Sequence, residues 1–558
     1  MVEVHGHIVT IKKASWPAEV VETALCNDMT FDGTTTITID LRIVCREALL
    51  SFFNNQVKEF MTSSRWAEHR RIMFPKIKQA YKDLYDYFMS NYYPRLNYAR
   101  DLYQHQKDVL STSMYRRVNL FALEQGLGKT ITSASISKIF QVPRTIIVCP
   151  AIVKWNWFRD MTDEWGYNKL YWTILDAKKS RTMIAFSERF CVVNYDILEK
   201  NFNHLVSMDC GHIIIDECQG IKNHSSLRAK NVRKLLNAFP KARVTLLSGT
   251  PVTNRVNDMY SYLQVAGHPL GKSYRNFISK YTISGTRGKV SGSQNIDDLK
   301  CSIANFMIRK RTIDCVGLPP LIINNYVFPM EEHRDDYIRV LGELAQQTEE
   351  YDAENNEVER NKKRIAVKAN LHTLNRLVAT SKVKSIATLA ESLIEMDKKV
   401  VIFSSYTNPL IELEKIFKDK CVRIDGSVDA LDRDKYIQQF KNDPNKVVFL
   451  GNVKAAGVGI NLVNANDVIF TNFPFTPDDL EQPYKRLHRI GQKSPVNVYY
   501  TICEDTIDEH IYNIIISKTR DINNLIDNNA EGVVNYEEIE NKLFRELMLQ
   551  YKKLNLKK

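Results

Sequence analysis

The stretch VNLFALEQGLGKT, residues 118–130, starts as an apolar run and ends in two spaced glycines followed by Lys129 and Thr130. An apolar strand that turns directly into a helix is the context in which a glycine pattern becomes a phosphate loop. Gly126 and Gly128 let backbone N–H groups approach phosphate oxygens, with Leu127 between them. Lys129 is positioned to neutralise β- and γ-phosphates and the Thr130 hydroxyl to hold magnesium, because a helix amino end plus a cation suits a polyanion. The expected cofactors are therefore ATP and magnesium. One departure stands out: Leu123 occupies the place of the usual first glycine, which changes the path of the loop rather than its chemistry.

Working outward from this loop, short β-branched runs alternate with helical stretches: VNLFAL, TIIVC, CVVN, HIIID and VTLLS, the last ending near Ser248. That rhythm predicts a parallel sheet flanked by helices. It returns from Lys398 as KVVIFSS, CVRIDG, KVVFLG, DVIFTN and VNVYYT. The expected fold class is α/β, with two tandem lobes and a small α+β extension in front. The expected organisation is an extension over 1–100, a first lobe over 101–325, a helical connector over 326–375, a second lobe over 376–530 and a basic helical tail over 531–558. In the connector, Tyr337, Val340, Leu341 and Leu344 recur at helical spacing within a highly charged stretch, which predicts an exposed helix.

The second half of the nucleotide site is HIIIDECQ, an apolar strand that delivers Asp216 and Glu217 at its carboxyl end, the usual ligand position in such sheets. Asp216 is expected to reach magnesium, directly or through water. Glu217 is expected to orient and deprotonate the attacking water, a role that demands a carboxylate beside the γ-phosphate.

Composition bounds the remaining possibilities. The 558 residues exceed one compact core, and 44% hydrophobic with 25% charged residues is an ordinary globular balance. Lys and Arg outnumber Asp and Glu by 77 to 65, a net +12 that favours a polyanionic partner if clustered. The ten cysteines form no C-x-x-C pair, which argues against a zinc knuckle or disulfide framework and fits a reducing intracellular setting. No apolar run approaches the roughly 20 residues that span a bilayer, so no membrane association is expected.

From about Leu102 to Tyr512 the chain resembles the Swi/Snf-type ATPases of helicase superfamily two. The resemblance rests on LYQHQKDVL, EQGLGKT, VCPAIVKWNW (Val148–Trp157), DECQ, LSGTPVTN (Leu247–Asn254) and FMIRKRTIDCVGLPP (Phe306–Pro320). In the second half, IDGSVDALDRDKYIQQF, KAAGVGINL and QPYKRLHRIGQ (Gln482–Gln492) continue it. It implies two RecA-like lobes sharing one ATP site. Gln106 would read the adenine side, and Gln482, Arg486 and Arg489 would be the sensor and arginine fingers facing ATP from the second lobe. Gln219, Ser248, Thr250, Gly457 and Gly459 would couple hydrolysis to movement. Lys154, Trp155, Ser405, Asp425, Gly426 and Gly457 would lie near a DNA groove.

The segment VSGSQNIDDL (Val290–Leu299) is similar to an element of the annealing-helicase branch related to HARP and HepA proteins. Gln219 stands where the family usually has histidine and Leu123 where it usually has aspartate. The resemblance implies a monomeric motor that tracks on double-stranded or forked DNA, with mostly phosphate contacts, to remodel forks or anneal strands in replication, repair or recombination. A strand-separating DNA or RNA helicase and an ATP-gated DNA-binding scaffold remain alternatives.

Overall fold

The computed structural model describes residues 2–58, 63–175, 189–251, 256–284, 290–330, 332–353, 356–428, 430–456, 460–516 and 546–547. The chain divides into two compact units, one of residues 1–284 and 293–315, the other of 285–292 and 316–558.

The first unit opens with four antiparallel strands, β1 (Val2–His5), β2 (Ile8–Lys12), β3 (Thr30–Phe31) and β4 (Thr36–Asp40), in the order β1-β2-β4-β3. In β4 Ile37 and Ile39 are fully buried while their neighbours are half-buried, the alternation of a sheet with one face on a core. That core continues through Leu49, Phe52 and Phe53 to Trp66, Met73 and Ile77 of the long helix Ser63–Asn91. The extension is stitched to the end of its own unit. Asn27 donates from Nδ2 to the Cys301 carbonyl at 2.8 Å, and Asn305 Oδ1 accepts the Cys45 N–H at 2.8 Å.

The main sheet of this unit holds β5 (Val118–Leu123), β6 (Arg144–Cys149), β7 (Trp172–Ile174), β8 (Phe190–Asn194), β9 (Cys210–Ile215) and β10 (Arg243–Leu247). A separate pair, β11 (Thr282–Ser284) and β12 (Val290–Ser293), precedes the seventh strand, β13 (Met307–Lys310). The order is β13-β5-β10-β9-β6-β8-β7, parallel throughout. Helices on both faces make these strands near-continuous apolar runs, and Ile213, Ile214 and Ile215 are completely buried.

The second unit carries β14 (Leu321–Phe328), β15 (Val400–Ser404), β16 (Cys421–Ile424), β17 (Val448–Asn452), β18 (Asp467–Phe470) and β19 (Val496–Cys503), all parallel, in the order β14-β19-β18-β15-β17-β16. Two differences from the sequence reading appear here. Residues 321–325, read as the end of the first lobe, belong to β14, which pairs with β19 along its whole length. The connector is also less exposed than its charge suggests. Tyr337, Val340, Leu341 and Leu344 of helix Arg334–Ala353 are all buried in the core of the second unit, where the helix packs beside Glu357–Ser381. Its charged residues solvate only the outer face.

A buried ion pair fixes one corner of this unit. Lys382, just past the helix Glu357–Ser381, donates to Asp508 Oδ2 at 2.5 Å and to the Thr501 carbonyl at 2.6 Å, with both side chains shielded from solvent. The expected tail over 531–558 falls almost wholly outside the described residues. Among the described residues no helix is long and apolar enough to cross a membrane.

Candidate active site

Three neighbouring parallel strands, β5, β10 and β9, end on the same edge of the first sheet, and each end carries one of the expected motifs. The loop after β5 needs two left-handed residues, Gly126 at φ +87° and Gly128 at φ +77°. A Cβ on Gly128 would also lie only 2.2 Å from Nε2 of Gln106, so both the turn and the close approach exclude a side chain. The helix Lys129–Ile139 then starts with no side-chain cap, the arrangement that leaves a helix amino end open to an anion.

Gln106 is buried against this turn. Its Nε2 donates to the Leu127 carbonyl at 3.1 Å and its Oε1 accepts the Tyr103 N–H at 3.0 Å. His105 reaches the same carbonyl through Nε2 at 3.0 Å and, since a carbonyl only accepts, carries its proton there. The motif expected to face adenine braces the glycine turn. Lys129 donates from Nζ to the Leu123 carbonyl at 3.1 Å, so the departure at Leu123 supplies backbone rather than side chain. Behind the loop, Arg309 of β13 donates to the Gly249 and Ala122 carbonyls at 3.0 and 3.2 Å and pairs with Glu124 at 3.2 Å.

After β9, the Asp216 carboxylate is buried and accepts from Trp157 Nε1 at 2.7 Å and from the Glu217 N–H at 2.9 Å. Burial, followed by the charge of Glu217, pushes its pKa well above the ordinary carboxylate range. The Trp157 hydrogen bond and the charge of Lys129 oppose that shift. Two adjacent carboxylates beside a lysine, one of them starved of solvent, form an oxygen donor set suited to a hard divalent cation, which fits magnesium held by Asp216 with the Thr130 hydroxyl.

Glu217 adopts φ +48°, a left-handed conformation that costs a non-glycine residue about 1–2 kcal/mol. The turn redirects its side chain into a relay. Gln219 Nε2 donates to Glu217 Oε2 at 2.6 Å, Ser248 Oγ donates to Gln219 Oε1 at 3.0 Å, and the Thr250 N–H donates to Ser248 Oγ at 3.1 Å. The amide of Gln219, with one donor end and one acceptor end, is what joins a carboxylate to a hydroxyl.

Trp157, Tyr195 and Arg309 are contributions that motif reading did not assign. The Tyr195 hydroxyl donates to the Asp216 carbonyl at 2.7 Å. Trp157 and Arg309 sit inside quoted motifs, whereas Tyr195 follows β8 with no motif to mark it. Trp157→Phe removes the donor that holds the Asp216 pKa down, so the acid limb of the kcat/KM profile for ATP hydrolysis should move to higher pH. An acid limb in the same place as wild type would show that Asp216 ionisation does not control the reaction.

The second unit keeps its own set. Gln482 lies on the helix Pro477–Tyr484, and Arg486 and Arg489 follow in a turn. The Arg486 carbonyl, accepting the Leu462 N–H at 3.0 Å, ties this turn to the loop before β18. Ser405 follows β15, where its N–H donates to Asn472 Oδ1 at 2.9 Å, and Asp425 and Gly426 follow β16. Gly457 and Gly459 lie outside the described residues.

Two residues expected near a DNA groove are engaged within their own units. Lys154 is buried, its ammonium given to the Leu175 carbonyl at 2.8 Å. Asp425 is also buried, accepting from the N–H and hydroxyl of Ser427 at 2.9 and 2.5 Å and from Arg423. Trp155 is half-buried and packs edge-on against Phe158.

Comparison with known proteins matches two family models to the chain. The SNF2-related domain matches residues 97–402 and the helicase conserved C-terminal domain residues 381–491. The chain is 26% identical over 410 residues to the SWI/SNF-related matrix-associated actin-dependent regulator of chromatin subfamily A-like protein 1 of Drosophila melanogaster, covering 71% of this chain and 52% of that protein. It is 24% identical to the human DNA annealing helicase and endonuclease ZRANB3, covering 74% of this chain and 39% of that one. An uncharacterised ATP-dependent helicase of Mycoplasma genitalium is 25% identical, with 70% and 38% covered.

Among solved structures, the Sulfolobus solfataricus SWI2/SNF2 ATPase core in complex with dsDNA is 22% identical, covering 78% of this chain and 94% of that one at a TM-score of 0.37. The chain spans about half the length of the fly relative and less of the other two proteins. With more than half of its residues inside the SNF2-related domain and the helicase C-terminal domain following, the chain belongs to the SNF2-related, helicase-like family.

Proposed function

We propose that this protein is a DNA-dependent ATPase that translocates along double-stranded DNA and acts on forks or on strands to be annealed. The observation that carries the reading is the meeting, at the ends of three adjacent strands, of an uncapped glycine turn, the Asp216–Glu217 pair and the Gln219–Ser248–Thr250 relay. Lys129 neutralises phosphate charge as it builds up on the transferring group, and the N–H groups at the start of its helix hold the phosphate chain in place. Asp216 and Thr130 would hold magnesium, which would supply further charge neutralisation to the transferring phosphate. Glu217 takes the proton of the attacking water, and its bond to Gln219 keeps the carboxylate aimed.

Loss of the γ-phosphate changes what Glu217 faces, and through Gln219 the change reaches Ser248 and Thr250, whose hydroxyls exchange partners. Arg486 and Arg489 of the second unit carry guanidinium groups, the side chains suited to the equatorial oxygens of a transferring phosphate.

The decisive test is ATP hydrolysis by the purified chain without nucleic acid and with single-stranded, duplex or forked DNA or RNA, over a salt series. Stimulation by duplex or forked DNA that fades steeply with salt is expected. Stimulation by single strands or RNA alone would favour a strand-separating helicase, and hydrolysis under none of these conditions would leave a DNA-binding scaffold.

A further inference from the structure

The side of the long helix Ser63–Asn91 that borders its own core carries two concavities joined by one residue. The first, a groove of about 730 Å³, has an apolar floor of Leu50, Trp66, Phe74 and Ile77 and a rim of Arg46, Arg70, Arg71 and Lys78, with no acidic residue in its lining among the described residues. The second, of about 320 Å³, also uses Arg46 and is walled by Tyr81, Tyr85 and Tyr115, with Arg42 and Lys310 as its other cations. Lys310 ends β13, and Asp108, Ser111 and Thr112 of the second lining belong to the helix Gln104–Ser113, so the track runs from the extension onto the first lobe. Among the described residues its acids are Glu47 and Asp108, both in the second concavity, where Arg42 is also held by Asp40 at 2.7 Å.

We propose that this track binds a single-stranded nucleic acid, with phosphates on Arg46, Arg70, Arg71 and Lys78 and unstacked bases against the aromatic walls. Cations interleaved with aromatic rings are the pattern of single-strand grooves, because every base offers a face to stack while the backbone follows the charge. From Ala67 to Tyr85 the helix rises about 27 Å at 1.5 Å per residue. That span accommodates about four nucleotides, the lower end of known site sizes for such grooves.

The rings are held for the task. Tyr81 donates its hydroxyl to the Val44 carbonyl at 2.7 Å, Tyr85 accepts from Gln104 Nε2 at 2.8 Å, and the Arg70 guanidinium lies 5.4 Å from the centre of the Phe74 ring. A duplex, whose bases are stacked, would leave the apolar floor empty. An acidic peptide would satisfy the rim but has no reason to follow a line of tyrosines onto the motor lobe.

This inference extends the proposed function by giving the motor a hold on the unpaired arm of a fork, and its test separates the two. Binding of a short fluorescein-labelled oligo-dT is measured by anisotropy for the full chain and for the triple variant Arg70→Gln, Arg71→Gln, Lys78→Gln, with duplex-stimulated hydrolysis followed in the same preparations. These side chains are exposed, so the fold should survive. The expected result is about tenfold or more weaker oligo-dT binding, a shallower salt dependence and unchanged duplex-stimulated turnover.

Oligo-dT binding equal to wild type would overturn the proposal. So would full displacement of oligo-dT by a poly-glutamate peptide at equal charge, which would assign the groove to an acidic protein. If the wild-type chain shows no DNA-stimulated hydrolysis yet the variant still loses oligo-dT, the motor reading fails and the track stands.

Discussion

Replacing Lys129 by alanine is expected to lower ATP hydrolysis about a hundredfold to a thousandfold, the usual cost of removing one preorganised charge from a phosphoryl-transfer site. The side chain reaches back over its loop to the Leu123 carbonyl, passes Gly249, where a Cβ would sit 3.4 Å from its Nζ, and acts electrostatically on Asp216. Its loss therefore removes phosphate neutralisation and also lets the Asp216 pKa rise further, weakening the magnesium site. The helix itself is secured by buried Ile131 and Ala134, so the circular dichroism spectrum should be unchanged. Wild-type turnover in the folded variant would remove the phosphate site from this loop.

The largest expected effect on stability lies in the other unit. Asp508→Asn leaves the Lys382 ammonium without its carboxylate in a place where the side chain is 1% exposed, and stranding such a charge costs about 3–5 kcal/mol. Asp508 Oδ2 also accepts the Cys503 N–H at 3.0 Å, a bond the asparagine oxygen can keep, so the loss reads the charge rather than the anchor of β19. Replacing both partners, Lys382→Met with Asp508→Leu, should recover much of the loss, because two apolar groups need no counter-charge. Chemical denaturation of the single and double variants reads the difference. Equal destabilisation by both would mean that packing, not charge, holds this corner.

Much of the fold was legible because both main sheets are parallel and buried on both faces, so their strands are unbroken β-branched runs whose carboxyl ends point to the site. The motif residues of the first lobe, from Gly126 to Thr130 and from Asp216 to Gln219, then followed from position at those ends. β14 was harder. It is mostly exposed, LIINNYVF has no clean apolar alternation, and its partner β19 lies far along the chain. Its sequence neighbours therefore drew it into the wrong lobe.

The helical connector was read as exposed because charge dominates its composition, although four apolar residues at the right spacing suffice to bury one face. Lys154 illustrates another limit. Whether a lysine at the start of a short helix faces solvent or a carbonyl depends on Leu175, a contact that spacing does not encode. Gln219 was expected to couple hydrolysis to movement, but its bond to Ser248 was not legible, since it joins two strand ends that are distant in sequence.

The placement of β13 has a consequence for how the chain is made. This strand flanks β5, and its Arg309 braces the phosphate loop, yet it lies 185 residues after Glu124, to which it bonds. The hydrogen bonds from Asn27 and Cys45 to residues 301–305 close even longer loops. A ribosome that has released residues 1–300 has therefore delivered every residue of the proposed nucleotide site in the first lobe but neither the outer neighbour of β5 nor the anchor of the extension. Contacts of such high order make folding slow, and the uncovered edge of β5 is a template for mispairing until the chain passes residue 310.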